Sequence, residues 1–289
     1  MADLKKFMLV AIAEAETSLR QGDCGFGAVI FSGHEIVAKT HDTEKTDGDP
    51  TAHAELKAIR QAAAKLGPDL SGCGIVTTHE PCPMCSTAIV WAGIGTVAFG
   101  CSIHSAIQQG RKRIDLPCGE IFEPANHDVD LHAGVSQSRC ETLYNSEVRN
   151  QVNMLRDADK NSLCQLADKL KLKRQKWVRQ QNLQTESTNE DVLNKGYRAL
   201  LLKLGIPPDE APIIDKDKKQ LVFASKNFCP TLEACKILQL DTRFVCRHLT
   251  EGPTEALLKE IDPRLRFRRD YTTLRPNGTY CKETIFLVP

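Results

Sequence analysis

His53 and Glu55 stand two residues apart, and from Pro81 the chain continues Cys82-Pro83-Met84-Cys85. A neutral imidazole and two thiolates fill three corners of a tetrahedron around Zn²⁺. The fourth corner is then left for water, which marks a catalytic ion rather than a structural one. The carboxylate of Glu55 falls beside that water instead of on the metal. Such a site acidifies its water to near pH 7. A carboxyl in a closed apolar pocket has a raised pKa and can both take and return a proton. Glu55 is therefore read as a proton shuttle.

The elements that must hold these groups follow from pattern. Cys82 and Cys85 bracket the first turn of a helix expected from about Pro83 to Ala92, where the macrodipole and free N–H groups lower a thiol pKa. Pro81 and Pro83 stiffen that turn. His53 opens a second helix, from about Ala52 to Lys65, with Leu56, Ile59 and Ala63 toward the core and Gly67-Pro68 ending it. Upstream, residues 3–21 place Leu4, Met8, Ala11, Ile12, Ala15 and Leu19 on one helical face. Strands are expected at Gly25 to Phe31, Glu35 to Lys39, Gly74 to Thr78 and Thr96 to Phe99, the first two forming a hairpin. This alternation through residue 110 implies a sheet covered on both faces.

The chain has 289 residues, which favours two domains, and its 41% apolar content can bury real cores. The 38 basic and 37 acidic residues give no global field for nucleic acid. No apolar stretch reaches the ~18 residues that span a membrane. No signal peptide is read at the start, so the twelve cysteines are expected reduced, in the cytoplasm. The segment 156–190 reads as a helical connector whose basic stretch, Lys169 to Arg179, is a solvated face opposite Leu166, Leu170 and Trp177. Residues 184–191 read as the linker proper. A second domain, 191–289, is expected to carry helices at 191–204, 231–239 and 253–261, with strands near Gln220 to Ala224 and Glu283 to Val288. Arg264, Arg266, Arg268 and Arg269 there are also read as solvated.

Three runs, Phe26 to Ile30, Asp49 to Glu55 and Glu80 to Cys85, with Trp91 behind them, resemble the cytidine deaminase superfamily. The similar branch holds guanine deaminases, cytosine deaminases and bacterial tRNA adenosine deaminases. The resemblance covers about residues 1–155, ending on the helix that starts near Gly134 to Cys140. It implies an α/β fold, a three-layer αβα arrangement on a mixed sheet, with zinc, a homodimer and a heterocyclic amine as substrate. Glu55 would pass a proton to a ring nitrogen and another to the departing amine, releasing ammonia. The resemblance also places Phe26 against the base, Trp91 in the pocket wall and Asp115 as a pocket carboxylate. Asp42 stands where these relatives carry a base-contacting Asn, and His41 beside it is taken with it as a substrate-binding candidate. An ionised Asp only accepts hydrogen bonds, so it favours a substrate edge rich in N–H donors and weakens a strict guanine assignment. His79 is expected to support the site by packing, and His104, His127 and His132 are given no role.

Cys229, Cys235, Cys246 and Cys281, with His248, lack the spacing of a zinc knuckle and read as small buried hydrophobes. Runs at Asn227 to Cys235, Leu240 to Cys246 and Ile261 to Arg268 resemble an aminothiazoline carboxylate hydrolase-like family. That leaves open a thiol-dependent hydrolase or a ligand-sensing, dimerising module; the former requires an exposed, acidic thiol. For the whole chain the expectation is zinc-dependent deamination of a free nucleobase, nucleoside or similar small aminoheterocycle, guanine-like first. The alternatives are tRNA adenosine deamination, against which the neutral charge balance argues, and a non-catalytic binding protein on the same fold.

Overall fold

The computed structural model describes residues 3–125, 128–183 and 192–288. The expected linker 184–191 (apart from the residues flanking it) and His127 lie outside the described residues. The chain divides into two compact units, Met1–Arg156 and Asp157–Pro289.

The first unit runs α1 (Leu4–Gln21), β1 (Gly27–Ser32), β2 (Glu35–His41), α2 (Ala54–Leu66), β3 (Gly74–His79), α3 (Pro83–Trp91), β4 (Thr96–Cys101), α4 (Ile103–Gln108), α5 (Cys118–Phe122), β5 (Asp130–His132), α6 (Gln137–Tyr144) and α7 (Ser146–Leu155). Its five strands take the order β2-β1-β3-β4-β5. β1 is antiparallel to β2 and β3, whereas β3, β4 and β5 are parallel. The sheet is mixed, with helices on both faces. β1 and β3 are buried on successive residues, as strands covered from two sides must be.

Side chains alternate across the sheet. Ala28 and Ile30 face α2 and α3 in a core that includes Ile75, Ile89, Val97 and Phe99. Phe31, on the other side, stacks on Phe7 of α1 at 4.4 Å between centroids. Gly27 allows α1 to sit this close: a methyl built there would lie 1.9 Å from the Ala11 carbonyl oxygen.

The fully buried stripe of α2 is Ala54, Ala58 and Ala62; of the expected Leu56, Ile59 and Ala63, Ile59 packs against the same core but is only partly buried. Methyl side chains at every fourth position let the helix lie close to the sheet, and this rotation turns Glu55 inward as well.

The second unit holds α8 (Lys160–Gln180), α9 (Val192–Leu204), β6 (Ile213–Lys216), β7 (Gln220–Ser225), α10 (Pro230–Leu238), α11 (Thr242–Val245), α12 (Gly252–Ile261), β8 (Leu265–Arg269) and β9 (Cys281–Leu287). Its sheet, β6-β7-β9-β8, is antiparallel throughout. Tyr197, Leu200, Phe223, Leu257, Phe267 and Ile285 share its core. The basic residues are not uniformly solvated. Arg174 of α8 donates to Thr254 Oγ1 at 2.7 Å, anchoring α8 on α12. Arg269 is buried against Glu283, 2.6 Å away, because an inward-facing position on β8 meets a carboxylate on β9. Among the described residues no helix is long and apolar enough to cross a membrane.

Candidate active site

The parallel strands β3 and β4 end side by side, His79 opposite Cys101, and the loops beyond them carry the chemistry. This is where α/β sheets commonly place ligands, outside the carboxyl ends of their strands. Pro81 turns the chain into α3, so Cys82 is its N-cap and Cys85 lies in its first turn. His53 is the N-cap of α2 and Glu55 sits in that helix's first turn. Two helix N-termini thus converge on one point. Their dipoles favour thiolate and carboxylate there.

His53 Nδ1 lies 3.6 Å from Cys82 Sγ and 3.5 Å from Cys85 Sγ. A tetrahedral zinc with bonds of about 2.3 Å to sulfur and about 2.05 Å to nitrogen would separate N from S by roughly 3.6 Å. The three side chains fit that ion. Cys85 Sγ is also 3.6 Å from Glu55 Oε2, so the carboxyl stands against the ligand set without joining it. Contact with the Cys85 thiol, backed by His53, draws the Cys82 thiol down to about 4, while burial opposes it. Burial pushes Glu55 up to about 7, a value at which both protonation states are accessible.

His53, Glu55, Cys82 and Phe26 line a cavity of about 360 Å³. Its size is within the range of small-molecule sites. Phe26 does not turn a bare face to it. Tyr144 stacks on the ring at 5.3 Å, and the Arg113 guanidinium covers it at 4.9 Å from the centroid.

Asp42 lies behind this wall, fully buried. Its Oδ1 accepts the Cys24 N–H at 2.9 Å, and its Oδ2 has no partner among the described residues. With Cys24 and Glu44 it forms a second group of donor atoms, all within 4.8 Å of one another.

The other expected site residues are elsewhere. The His41 ring is held by Glu14 at 2.8 Å and Gln21 at 3.1 Å, which ties β2 to α1 and turns it from the cavity. Trp91 is not a cavity wall. It lies two positions past the buried Ile89, on the far side of α3, and is 85% exposed. Asp115 is exposed on the loop before α5 and does not line the cavity; its neighbour Ile114, itself 67% exposed, borders the cavity instead.

Sequence reasoning missed Glu80, Arg111 and Arg113. Glu80 accepts the N–H of Ile103 at 2.8 Å and of Cys118 at 2.9 Å. Arg111 and Arg113 line the cavity. Their only sequence signal is the basic run after Gly110. His79 also reaches the cavity. Its Nδ1–H donates to the Glu80 carbonyl at 2.8 Å, which turns Nε2 inward as an acceptor.

In the second unit, no three of the described cysteines, histidines and carboxylates gather to hold a metal. Burial raises the thiols of Cys229, Cys235 (to about 12) and Cys246 (to about 11).

An imidazole, two thiols and an adjacent buried carboxyl at the ends of parallel strands define a mononuclear zinc hydrolase. Residues 1–101 match the model of the cytidine and deoxycytidylate deaminase zinc-binding region. The chain is 31% identical over 156 residues to a tRNA-specific adenosine deaminase of Bacillus subtilis, covering 54% of this chain and 94% of that protein. It is 41% identical over 106 residues to the Bacillus subtilis guanine deaminase, covering 34% and 68% respectively. A tRNA(Ile)-lysidine synthase of Deinococcus radiodurans is 46% identical over 92 residues, 31% of this chain but only 16% of that protein. A solved guanine deaminase structure from Bacillus subtilis is 34% identical over 43% of this chain and 81% of that chain, with a TM-score of 0.36. The chain belongs to the cytidine and deoxycytidylate deaminase family, a family of zinc-dependent hydrolases.

Proposed function

We propose that the first unit hydrolytically deaminates a small aminoheterocycle, a guanine-like nucleobase or nucleoside being the leading candidate, and releases ammonia. The observation that carries this reading is Glu55: a buried carboxyl 3.6 Å from Cys85 Sγ, facing a cavity, with its proton affinity raised toward neutrality. His53, Cys82 and Cys85 would hold the ion. Zinc, when bound, acidifies water and so supplies a nucleophile at neutral pH. Glu55 takes a proton from the attacking water and delivers it to a ring nitrogen; it then takes the proton of the newly added hydroxyl and gives it to the leaving amine, which departs as ammonia while the carbonyl forms. Burial of the cavity walls strengthens these transfers by excluding bulk water.

Both a guanine deaminase and tRNA adenosine deaminases are among the relatives, so the choice of substrate rests on this chain's own cavity. Asp42 occupies the position where the resemblance puts a base-contacting Asn, but it is buried behind the cavity wall, so it acts on the cavity through Cys24, whose N–H it accepts, and not by contact with the base. On this reading the protein works in the cytoplasm, in keeping with twelve free thiols. It would act as a homodimer, the assembly that the family resemblance implies. The second unit, whose buried thiols are the reverse of nucleophilic, is read as a ligand-sensing or dimerising module. The test is ammonia release by the zinc-loaded full chain over a panel of aminated purines, pyrimidines and triazines. Release from guanine or a close analogue supports the reading. A zinc-loaded protein that frees ammonia from none of them would point to a binding protein instead.

A further inference from the structure

Three polar atoms lining the cavity have no partner among the described residues and are shielded from solvent: His79 Nε2, Arg111 Nη1 and Arg113 Nη2. A shielded polar atom left unpaired costs about 1–3 kcal/mol, and more when charged, so such atoms are expected to meet a ligand. The two guanidiniums are held in place from behind. Arg111 lies over Tyr144 at 5.1 Å and over Phe26 at 5.4 Å, and Arg113 lies over Phe26 at 4.9 Å. Aromatic faces orient a guanidinium without using up its N–H donors.

The three carboxylates that line the cavity are each engaged away from the two guanidiniums. Among the described residues, neither Arg111 nor Arg113 makes an ion pair. Of the carboxylates that line the cavity, Glu80 is engaged by the amides of Ile103 and Cys118. Glu44 accepts from the Cys24 thiol at 3.6 Å. Glu55 stands with the metal ligands. Lys112 adds a third cation to the lining, and Arg149 a fourth behind it, where it donates to the Cys24 carbonyl at 2.7 Å. Burial, then repulsion from Arg149 and Arg113, pushes Arg111 down to about 10.

We infer that the substrate carries an oxyanion group of its own, a phosphomonoester or a ring carboxylate, and that Arg111 and Arg113 hold that group while His79 accepts an N–H. The inference rests on the deaminase reading above and narrows its substrate class from neutral bases to anionic aminoheterocycles. A bidentate guanidinium matches either oxyanion.

The experiment is calorimetric titration of the zinc-loaded full chain with matched pairs. These are guanosine and cytidine against their 5′-monophosphates, and cytosine against its 5-carboxylate. Inorganic phosphate serves as competitor, and a short stem-loop RNA is titrated alongside. An anionic member should bind about tenfold or more tightly than its neutral partner, the value of one charged hydrogen bond. Whichever pair shows the preference identifies the oxyanion. Arg113→Gln should abolish the preference and Arg113→Lys should largely keep it, a rescue that a purely structural role would not give. Arg111→Gln provides the second variant. Equal binding of neutral and anionic members, or an undiminished preference in both Gln variants, overturns the inference. So does tight binding of the RNA with none of the monophosphates. Ammonia release in the same samples judges the deaminase reading separately. Anion preference without turnover would strike that reading and leave the anion wall standing.

Discussion

Asp42 accepts the backbone N–H of Cys24 with one carboxylate oxygen and keeps the other buried and unpaired. Burial raises its pKa, against the lowering effect of that hydrogen bond. A raised acid binds its proton more tightly in the folded state than in the unfolded chain. Folding is therefore favoured at low pH, and this contribution is lost as pH rises from the unfolded value, about 3.9, through the folded one. Asp42→Asn keeps an acceptor for Cys24 and removes the titration. The Tm of the variant should gain on that of the wild type as pH rises above about 4. Parallel Tm curves for the two proteins would show that Asp42 does not titrate in this window.

Glu55→Gln should leave zinc content unchanged and reduce ammonia release by about 10²–10⁴-fold, the range of a lost general acid–base group. Metal analysis and steady-state kinetics check it together. A variant that turns over near the wild-type rate would remove Glu55 from the proton path.

Zinc should bind at one ion per chain, and Cys82→Ser or Cys85→Ser should weaken it. Because the ion binds the folded chain alone, its removal by a chelator should lower the Tm, and added zinc should restore it. Full zinc occupancy in both Ser variants would place the ion elsewhere.

Gly27→Ala forces a methyl toward the Ala11 carbonyl oxygen, 1.9 Å away, and backbone cannot swing aside as a side chain can. The loss should be about 1–3 kcal/mol or more, read as a shift in denaturant midpoint at unchanged slope. A midpoint within error of wild type would mean that α1 is not clamped on β1.

Alkylation at pH 7 should modify Cys164, which is exposed, and spare Cys235 and Cys246, which are buried with raised pKa values. Peptide mass mapping of the native protein decides this. Rapid modification of Cys246 would reopen thiol chemistry in the second unit.

The convergence of His53, Cys82 and Cys85 was legible because zinc chemistry demands particular residue types at short spacings, and the helices that present them have strong start signals. Strands β1 and β3 were legible because each carries a short unbroken apolar run, Ala28 to Phe31 and Ile75 to Val76, followed in β3 by β-branched Thr77 and Thr78. β6 was not: Ile213 and Ile214 are exposed on a short edge strand whose only neighbour is β7. The α2 stripe was misjudged because the larger residues Leu56 and Ile59 carry the stronger apolar signal, while close approach to the sheet selects Ala54, Ala58 and Ala62. The cavity wall was the least readable part. Where Arg111 and Arg113 point depends on the course of the loop between α4 and α5. That course is set by contacts from Glu80, about thirty residues earlier, which no local pattern records. Trp91 and His41 carried suggestive identities but not suggestive directions, because direction depends on which helix face meets the sheet.

Glu80 fastens the start of α4 and the start of α5, one carboxylate oxygen to each amide, and it does so from the residue just before Pro81 and the cysteine pair. The segment between its two anchors can thus be lengthened, shortened or recoded without disturbing the ion's donors.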